Sequence, residues 1–373
     1  MADDARIETE IPNMEKTFHD PLIQECGHGL TGPGGALYRY AQRPKGYQLG
    51  EDDFDHKSWQ LLRQPNYTDA EHKRWDILYA NQKKIIQGRA CSDFIKGFKK
   101  LESCFGHGIP SFDDINAILE PATGWQVIAV PELIPDNVFF WHLENRRFPA
   151  GVFIRGGQPQ TTKVIEANQG REPEFVEYTQ VEDDLYYLQE PDIFHDVFGH
   201  VPMLMDPHFA DYIQAYGAGG RRAIQYNRTK NFGAIYWYTV EFGLIQEDDG
   251  LRIYGAGILS SPDETLFALH SNSPHRIKMV PERVMRTDYV ISDFQETYFV
   301  IDSIKGLFDD TAARDFTQIY NKLPAGFTYA TTSCLDTDVL ITEGTQEYKF
   351  CGGRGRPRAM AHMEKIRAEQ GMD

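Results

Sequence analysis

The sequence predicts a mostly α fold with short β strands, gathered into one main domain. Two patterns predict it. Apolar residues recur at helical spacing along most of the chain, behind recognisable capping residues. Runs of strand character are few and short. The 373 residues, 41% hydrophobic and 13% aromatic, are enough to bury a sizeable core. No internal repeat or low-complexity block breaks the pattern.

The elements follow in order. Residues 1–66 are polar and rich in Gly, Pro and Asp, and read as an irregular N-terminal arm with Tyr38, Tyr40 and Trp59 as anchors. The first helix opens at a capping-box pair, Thr68 and Glu71, and carries Trp75, Leu78, Tyr79, Ile85 and Ile86, with Gly88 as its stop. A second runs over 92–103 through Phe94, Ile95, Phe98 and Leu101, and a third starts at Ser111 with Asp114 three residues on. Residues 124–131 read as a short strand. Pro135 and Asp136 open a helix that ends in the region of Arg146, Arg147 and Pro149. Residues 156–183 are polar without a sustained period, and read as a long loop or insertion.

Beyond residue 202, residues 207–227 form a helix interrupted by Gly217, Gly219 and Gly220. Residues 232–246 form a nearly all-apolar helix, buried on all sides. A strand at 251–254 leads into Gly255-Ala-Gly-Ile-Leu-Ser-Ser, and Ser261, Pro262 and Glu264 start another helix. Residues 281–286 are a helical turn, 289–294 and 298–301 extended, and 311–323 helical. Residues 351–373 are a basic tail with a helix over 358–369, whose apolar candidates are Met360, Met363 and Ile366. The main domain therefore spans 67–350.

The chain carries 55 acidic against 38 basic residues, a net charge of -17, which argues against nucleic acid and anionic membrane as partners. No apolar stretch approaches the roughly 20 residues of a membrane span, and the first 30 residues lack a signal-peptide pattern. Cys26, Cys91, Cys104, Cys334 and Cys351 are scattered, with no Cys-x-x-Cys, as in a reduced cytoplasmic protein.

The chemistry concentrates at 190–202, Glu-Pro-Asp-Ile-Phe-His-Asp-Val-Phe-Gly-His-Val-Pro. Pro191 suits a first helical turn, Pro202 ends the helix, and Asp192 and Asp196 favour its positive end. His195 and His200 sit in an apolar, buried run, where both imidazoles need partners. Glu241 stands inside the apolar 232–246 helix, where an unpaired carboxylate would cost several kcal/mol. Taken singly, each could be a satisfied core residue or part of an ion pair. Together they predict a shared metal. Two imidazoles and a carboxylate form the facial triad of non-haem Fe(II) oxygenases. Zinc hydrolases use the same donor types, usually from His-Glu-x-x-His. Here the spacing is five, and Asp196 follows the first histidine. Five residues sweep about 500° of α-helix, so the rings converge only through a local distortion near Gly199. That disfavours the zinc-protease pattern and leaves a zinc hydrolase, or a metal-stabilised protein without catalysis, as the rivals.

Three stretches, 190–202, Tyr236-Trp-Tyr-Thr-Val-Glu-Phe-Gly-Leu and Tyr254-Gly-Ala-Gly-Ile-Leu-Ser-Ser, resemble the pterin-dependent aromatic amino acid hydroxylases. Weaker similarity extends over 68–350, including Gly124-Trp-Gln-Val-Ile-Ala-Val-Pro, Asn145-Arg-Arg-Phe-Pro and Tyr298-Phe-Val-Ile-Asp. The resemblance implies a single catalytic domain using Fe(II), tetrahydrobiopterin and dioxygen, and converting phenylalanine to tyrosine as the bacterial 4-monooxygenases of the family do. Attack on tryptophan or tyrosine, or meta attack on phenylalanine, stays open, because ring selectivity depends on pocket shape; Leu188 is a further position that bears on it.

Carried over by position, the resemblance makes His195, His200 and Glu241 the iron ligands. Pro191, Trp237 and Phe242 match positions around the substrate ring. Gly257 and Ser260 match the stretch beside the amino acid backbone. Phe139, Tyr236 and Asp196 match positions near the pterin. Phe153-Ile-Arg155 matches the arginine that clamps the substrate carboxylate, although the 156–183 insertion separates it from the metal helix; Arg171 inside the insertion is the fallback. The arm is too short for the regulatory domain of the animal enzymes and the tail helix too short for their assembly helix, so a monomer is expected.

Overall fold

The computed structural model describes residues 60–61, 63–130, 134–156, 191–291, 293–311, 314, 316–324, 326–351 and 357–372, and the backbone of 161–166 and 174–179. Tyr38, Tyr40, Trp59, Arg171 and Leu188 lie outside the described residues.

Three helices open the described chain: α1 (Asp69–Ile85), α2 (Ser92–Phe105) and α3 (Phe112–Thr123). The capping box is formed as expected, with Thr68 and Glu71 each accepting from the other's backbone N–H. At α3 the Ser111 side chain makes no such bond. The end of the arm is pinned rather than loose. Leu61 is buried and donates its N–H to Ala129 O at 2.8 Å, and Gln64 bridges Pro110 O and Phe112 N.

Strand β1 (Gln126–Val130) pairs in parallel with β2 (Arg147–Gly151) across helix α4 (Asp136–Glu144). The helix expected to reach Arg147 thus stops at Glu144, and Arg146 turns the chain with φ 54° into the strand. The polar 156–183 stretch is no plain loop: β3 (Thr161–Glu166) and β4 (Glu174–Thr179) form an antiparallel hairpin. Their β-branched and aromatic residues favour it.

The central segment is not an α-helix. It runs as a π-turn (Phe194–His200) and then a 3-10 turn (Val201–Met205), so Pro202 redirects the helix instead of ending it. Both turns are fully buried, as the sequence predicts. Phe194 and Phe198 stack at 4.8 Å, inside a ring cluster with Trp75, Tyr79, Phe94, Phe98 and Phe105. Each such ring pair adds about 0.5–1.5 kcal/mol beyond its buried area.

Helix α5 (Pro207–Gln225) is continuous. Its expected interruption fails because the glycines serve contact, not a break. A Cβ on Gly217 would lie 2.4 Å from Glu144 N and 2.7 Å from Phe140 O, so glycine lets α4 and α5 touch backbone to backbone. Helix α6 (Thr229–Tyr236) passes into a second π-turn (Trp237–Glu241), where Phe242 N donates to Trp237 O five residues back. The helix expected to reach residue 246 therefore ends at Glu241. It is also open on one side, since Tyr236, Trp237, Glu241 and Phe242 are half-buried.

Strands β5 (Leu244–Glu247), β6 (Gly250–Ile253), β7 (His275–Lys278), β8 (Thr297–Ile301) and β9 (Leu340–Thr342) form a mixed sheet in the order β6-β5-β8-β7-β9. Parallel pairing of β5 to β8 fixes the chain just past Glu241. Between β6 and β7 lie α7 (Ala256–Leu259) and α8 (Pro262–His270), the latter capped by Ser261 as expected. The shorter helices α9 (Pro281–Val284), α10 (Ile304–Asp310) and α11 (Thr317–Tyr320) follow. Among the described residues, the expected 311–323 helix is limited to α11, and those of 289–294 form no strand. The tail helix α12 (Pro357–Glu369) docks on α8: Ala359, Met363 and Ile366 are buried there, Met360 is exposed, and Arg367 pairs with Asp263. Among the described residues, no helix is long and apolar enough to cross a membrane.

Candidate active site

The first π-turn explains the spacing of its histidines. An i→i+5 ladder joins residues five apart across one turn, where an α-helix joins residues four apart. The rings of His195 and His200 accordingly meet nearly at right angles, with Nε2 atoms 3.2 Å apart. Gly199 is the residue that lets a neighbour close in: a Cβ there would lie 2.8 Å from Ala256 O. The distortion the sequence demands near Gly199 is therefore a π-turn, held against α7.

Glu241, at the end of the second π-turn, meets both rings. Its Oε1 lies 3.2 Å from His200 Nε2 and its Oε2 3.4 Å from His195 Nε2. Among the described residues these three form the one cluster able to hold a metal ion, with the donor atoms all within 4.8 Å of one another. Burial alone would raise the Glu241 carboxyl, but His200 and His195 beside it hold it well below the usual carboxylate range. Burial would lower His195, yet Glu241 outweighs it and raises the imidazole; at His200 burial prevails and lowers it. Burial also pushes the Asp196 carboxyl up to about 7, against the pull of His195.

The surroundings orient the donors. Ser260 Oγ donates to Ala256 O at 2.8 Å and lies 3.0 Å from His195 Nδ1. With its proton spent on Ala256, the hydroxyl accepts from His195 Nδ1–H, which leaves the lone pair on Nε2, facing His200 and Glu241. Ser260, expected beside the substrate backbone, thus touches the metal-side histidine. Asp196 accepts from Gly151 N at 2.7 Å.

Arg155 is buried against Asp192. Its Nε donates to Oδ2 at 2.8 Å and its Nη2 to Oδ1 at 2.7 Å, while its backbone N–H donates to Oδ2 at 2.8 Å. Burial would raise Asp192, but Arg155 outweighs it and holds the carboxyl low. Asp192 Oδ1 also accepts from His195 N at 2.9 Å, and Ile193 N donates to Phe153 O. Arg155 therefore meets the metal segment although the insertion lies between them in sequence, and its Nη1 end is not spent on Asp192.

The remaining predicted residues form two groups. Trp237 packs against Phe242 at 4.7 Å, and the same Phe242 ring lies against Gly257, where a Cβ would sit 2.9 Å from it. Phe139 meets Tyr236 edge-on at 5.6 Å, and Tyr236 stacks on His200 at 6.2 Å. Pro191 is exposed, and a Cβ on Gly151 would lie 3.4 Å from both its carbonyl oxygen and Asp196 Oδ2. Sequence reasoning missed three contributors. Tyr289 stacks on Trp237 at 4.6 Å, Gln295 accepts from the Trp237 indole at 2.9 Å, and Asp192 fixes Arg155. A lone glutamine in Phe294-Gln-Glu-Thr-Tyr was the available signal for Gln295.

A cluster of two imidazoles and one carboxylate, beside a wall of rings and a buried arginine, defines a class, and comparison with known proteins agrees. The family model for biopterin-dependent aromatic amino acid hydroxylases matches residues 9–164 and 174–340. The chain belongs to that family. It is 51% identical over 288 residues to a phenylalanine-4-hydroxylase of Caulobacter vibrioides, covering 77% of this chain and 89% of that one. It is 44% identical over 288 residues to that of Chromobacterium violaceum, covering 77% of this chain and 88% of that one. Among solved structures, the iron- and phenylalanine-bound phenylalanine hydroxylase of Chromobacterium violaceum matches with TM-score 0.65 at 42% identity, over 77% of this chain and 95% of that one. The cobalt-bound form of that enzyme matches with TM-score 0.67 at 43% identity, over 77% of this chain and 94% of that one.

Proposed function

We propose that this chain is a phenylalanine 4-monooxygenase, forming tyrosine from phenylalanine with Fe(II), tetrahydrobiopterin and dioxygen. One observation carries the reading: two imidazole nitrogens and a carboxylate, from two adjacent π-turns, converge within 4.8 Å beside a half-buried wall of aromatic rings. His195, His200 and Glu241 would hold the iron. When bound, it supplies a centre at which reduced pterin and dioxygen react, with coordination positions left open by the three-residue ligand set.

The chain's own residues do the positioning. Ser260 keeps His195 in the tautomer that presents Nε2. Asp192 holds Arg155 so that its remaining N–H groups can take the substrate carboxylate. Trp237 and Phe242 wall the substrate ring, with Gly257 leaving room beside Phe242. Phe139, Tyr236 and Asp196 would hold the pterin. The aromatic surround keeps water from the reacting centre. Residues 67–350 form the catalytic domain, 156–183 an insertion and 351–373 a tail, in a cytoplasmic monomer that serves phenylalanine catabolism.

The test is an assay of the iron-loaded protein against phenylalanine, tyrosine and tryptophan, with and without tetrahydrobiopterin. Pterin-dependent tyrosine formation from phenylalanine supports the reading. Zinc content with pterin-independent hydrolysis replaces it with a zinc hydrolase, and bound metal without turnover replaces it with a structural metal site. Glu241→Ala is expected to leave a folded protein with iron binding and turnover reduced by about a hundredfold or more. Retained activity would remove Glu241 from the ligand set.

A further inference from the structure

Gln295 is buried at 1% exposure, two residues before β8. Its side-chain oxygen accepts from Trp237 Nε1–H at 2.9 Å, and its side-chain nitrogen donates to Val290 O at 2.6 Å. Its backbone N–H donates to the buried Glu264 Oε1 at 3.3 Å, and the Tyr298 hydroxyl donates to that same oxygen at 2.8 Å. The amide has one satisfying orientation. The indole can only donate and the Val290 carbonyl can only accept, so exchanging the amide's ends would break both bonds. Val290 is the residue after Tyr289, and the Tyr289 ring stacks on Trp237 at 4.6 Å with 22° between planes. One buried amide therefore ties down the wall ring and the backbone that carries the ring covering it.

We propose that Gln295 is a positioning residue for ring recognition: it fixes the Trp237–Tyr289 stack and thereby the size of the aromatic pocket. The inference rests on reading Trp237 as a wall of the substrate pocket. Without the amide, the indole N–H loses its acceptor and the Tyr289 segment loses its tie. Both rings then drift, and the pocket no longer discriminates by ring size.

The experiment uses the iron-loaded full chain and Gln295→Met, which keeps length and volume while removing both hydrogen bonds. Its KM for phenylalanine, and the Kd for phenylalanine by titration calorimetry, are expected to rise about tenfold. Tyrosine formed per tetrahydrobiopterin oxidised is expected to fall, the preference for phenylalanine over tryptophan to narrow, and iron content to stay unchanged. In a Trp237→Phe background the same substitution is expected to raise Kd clearly less than it does in the wild-type background, because one of its two bonds, that to the indole, is already gone. Equal losses in both backgrounds would make Gln295 a plain structural plug and overturn the proposal, as would an unchanged Kd in the single variant. If Gln295→Met does not fold, Gln295→Asn, too short to reach both partners, is expected to show the same rise in Kd, and wild-type binding there overturns the proposal. Wild-type protein that turns over no aromatic amino acid overturns the reading of the site and this inference with it. Wild-type turnover with an unaffected Gln295→Met overturns the inference alone.

Discussion

The two π-turns, Phe194–His200 and Trp237–Glu241, each end on one of the clustered donors, yet they are held differently. Every residue of the first is buried, locked by stacked phenylalanines and by Gly199 against α7. The second leaves Trp237 and Glu241 half-buried and is held by hydrogen bonds, from Trp237 to Gln295 and from Tyr212 to Thr239. Donor placement needs rigidity, which close packing supplies. A site that admits substrate needs an open face, which packing alone cannot hold. The first turn therefore holds His195 and His200 in a closed, packed setting, and the second presents Glu241 on an open face.

The largest expected effect breaks the anchor of the first turn. Asp192→Ala would leave Arg155 buried without its counter-charge and free His195 N. Denaturant unfolding should show a loss of about 3–5 kcal/mol. A loss below about 1 kcal/mol would mean that the aromatic packing alone holds the turn.

Next comes the contact at Gly199. Valine there would drive atoms into Ala256, and with it shift Ser260. Iron affinity is expected to fall about a hundredfold, with about 1–3 kcal/mol of lost stability. Full iron content in the variant would show that the π-turn tolerates a displaced α7. A milder change to the same support is Ser260→Ala, which frees the His195 tautomer but moves no backbone; about a tenfold loss of iron affinity is expected, read by competition with a chelator.

The difference between the turns also explains what the sequence could reveal. The capping residues Thr68 and Ser261 were legible because their partners lie three residues away. The three donors were legible because ionisable groups in apolar runs are costly. The spacing of five even demanded a distortion, although a π-turn and a bent α-helix look alike in sequence. The end of the 232–246 helix was hidden, since Leu244 and Ile245 continue its apolar run and only pairing with β6 and β8 makes them strand. The Arg155–Asp192 and Gln295–Trp237 bonds span 37 and 58 residues, beyond any local pattern. Strand β2 was concealed by its position directly after a helix, with Arg146 as a left-handed turn that its residue type does not announce.

The smallest expected effect decides what keeps the second turn π-helical. Thr239 Oγ1 donates to Ile235 O at 2.6 Å and lies 3.1 Å from the Tyr212 hydroxyl, which then donates to it. The bond to Ile235 crosses the junction where α6 gives way to the π-turn, and such back-bonding bends helices. The competing influence is tertiary: Phe242 and β5 pull the chain onward into the sheet. Thr239→Val keeps the shape and removes both bonds, for an expected loss of about 1 kcal/mol in thermal unfolding. If sheet pairing sets the turn, iron content and the preference for phenylalanine remain at wild-type values. If the local bond sets it, the helix regains α geometry, Glu241 rotates away from His195 and His200, and iron is lost although the protein remains folded.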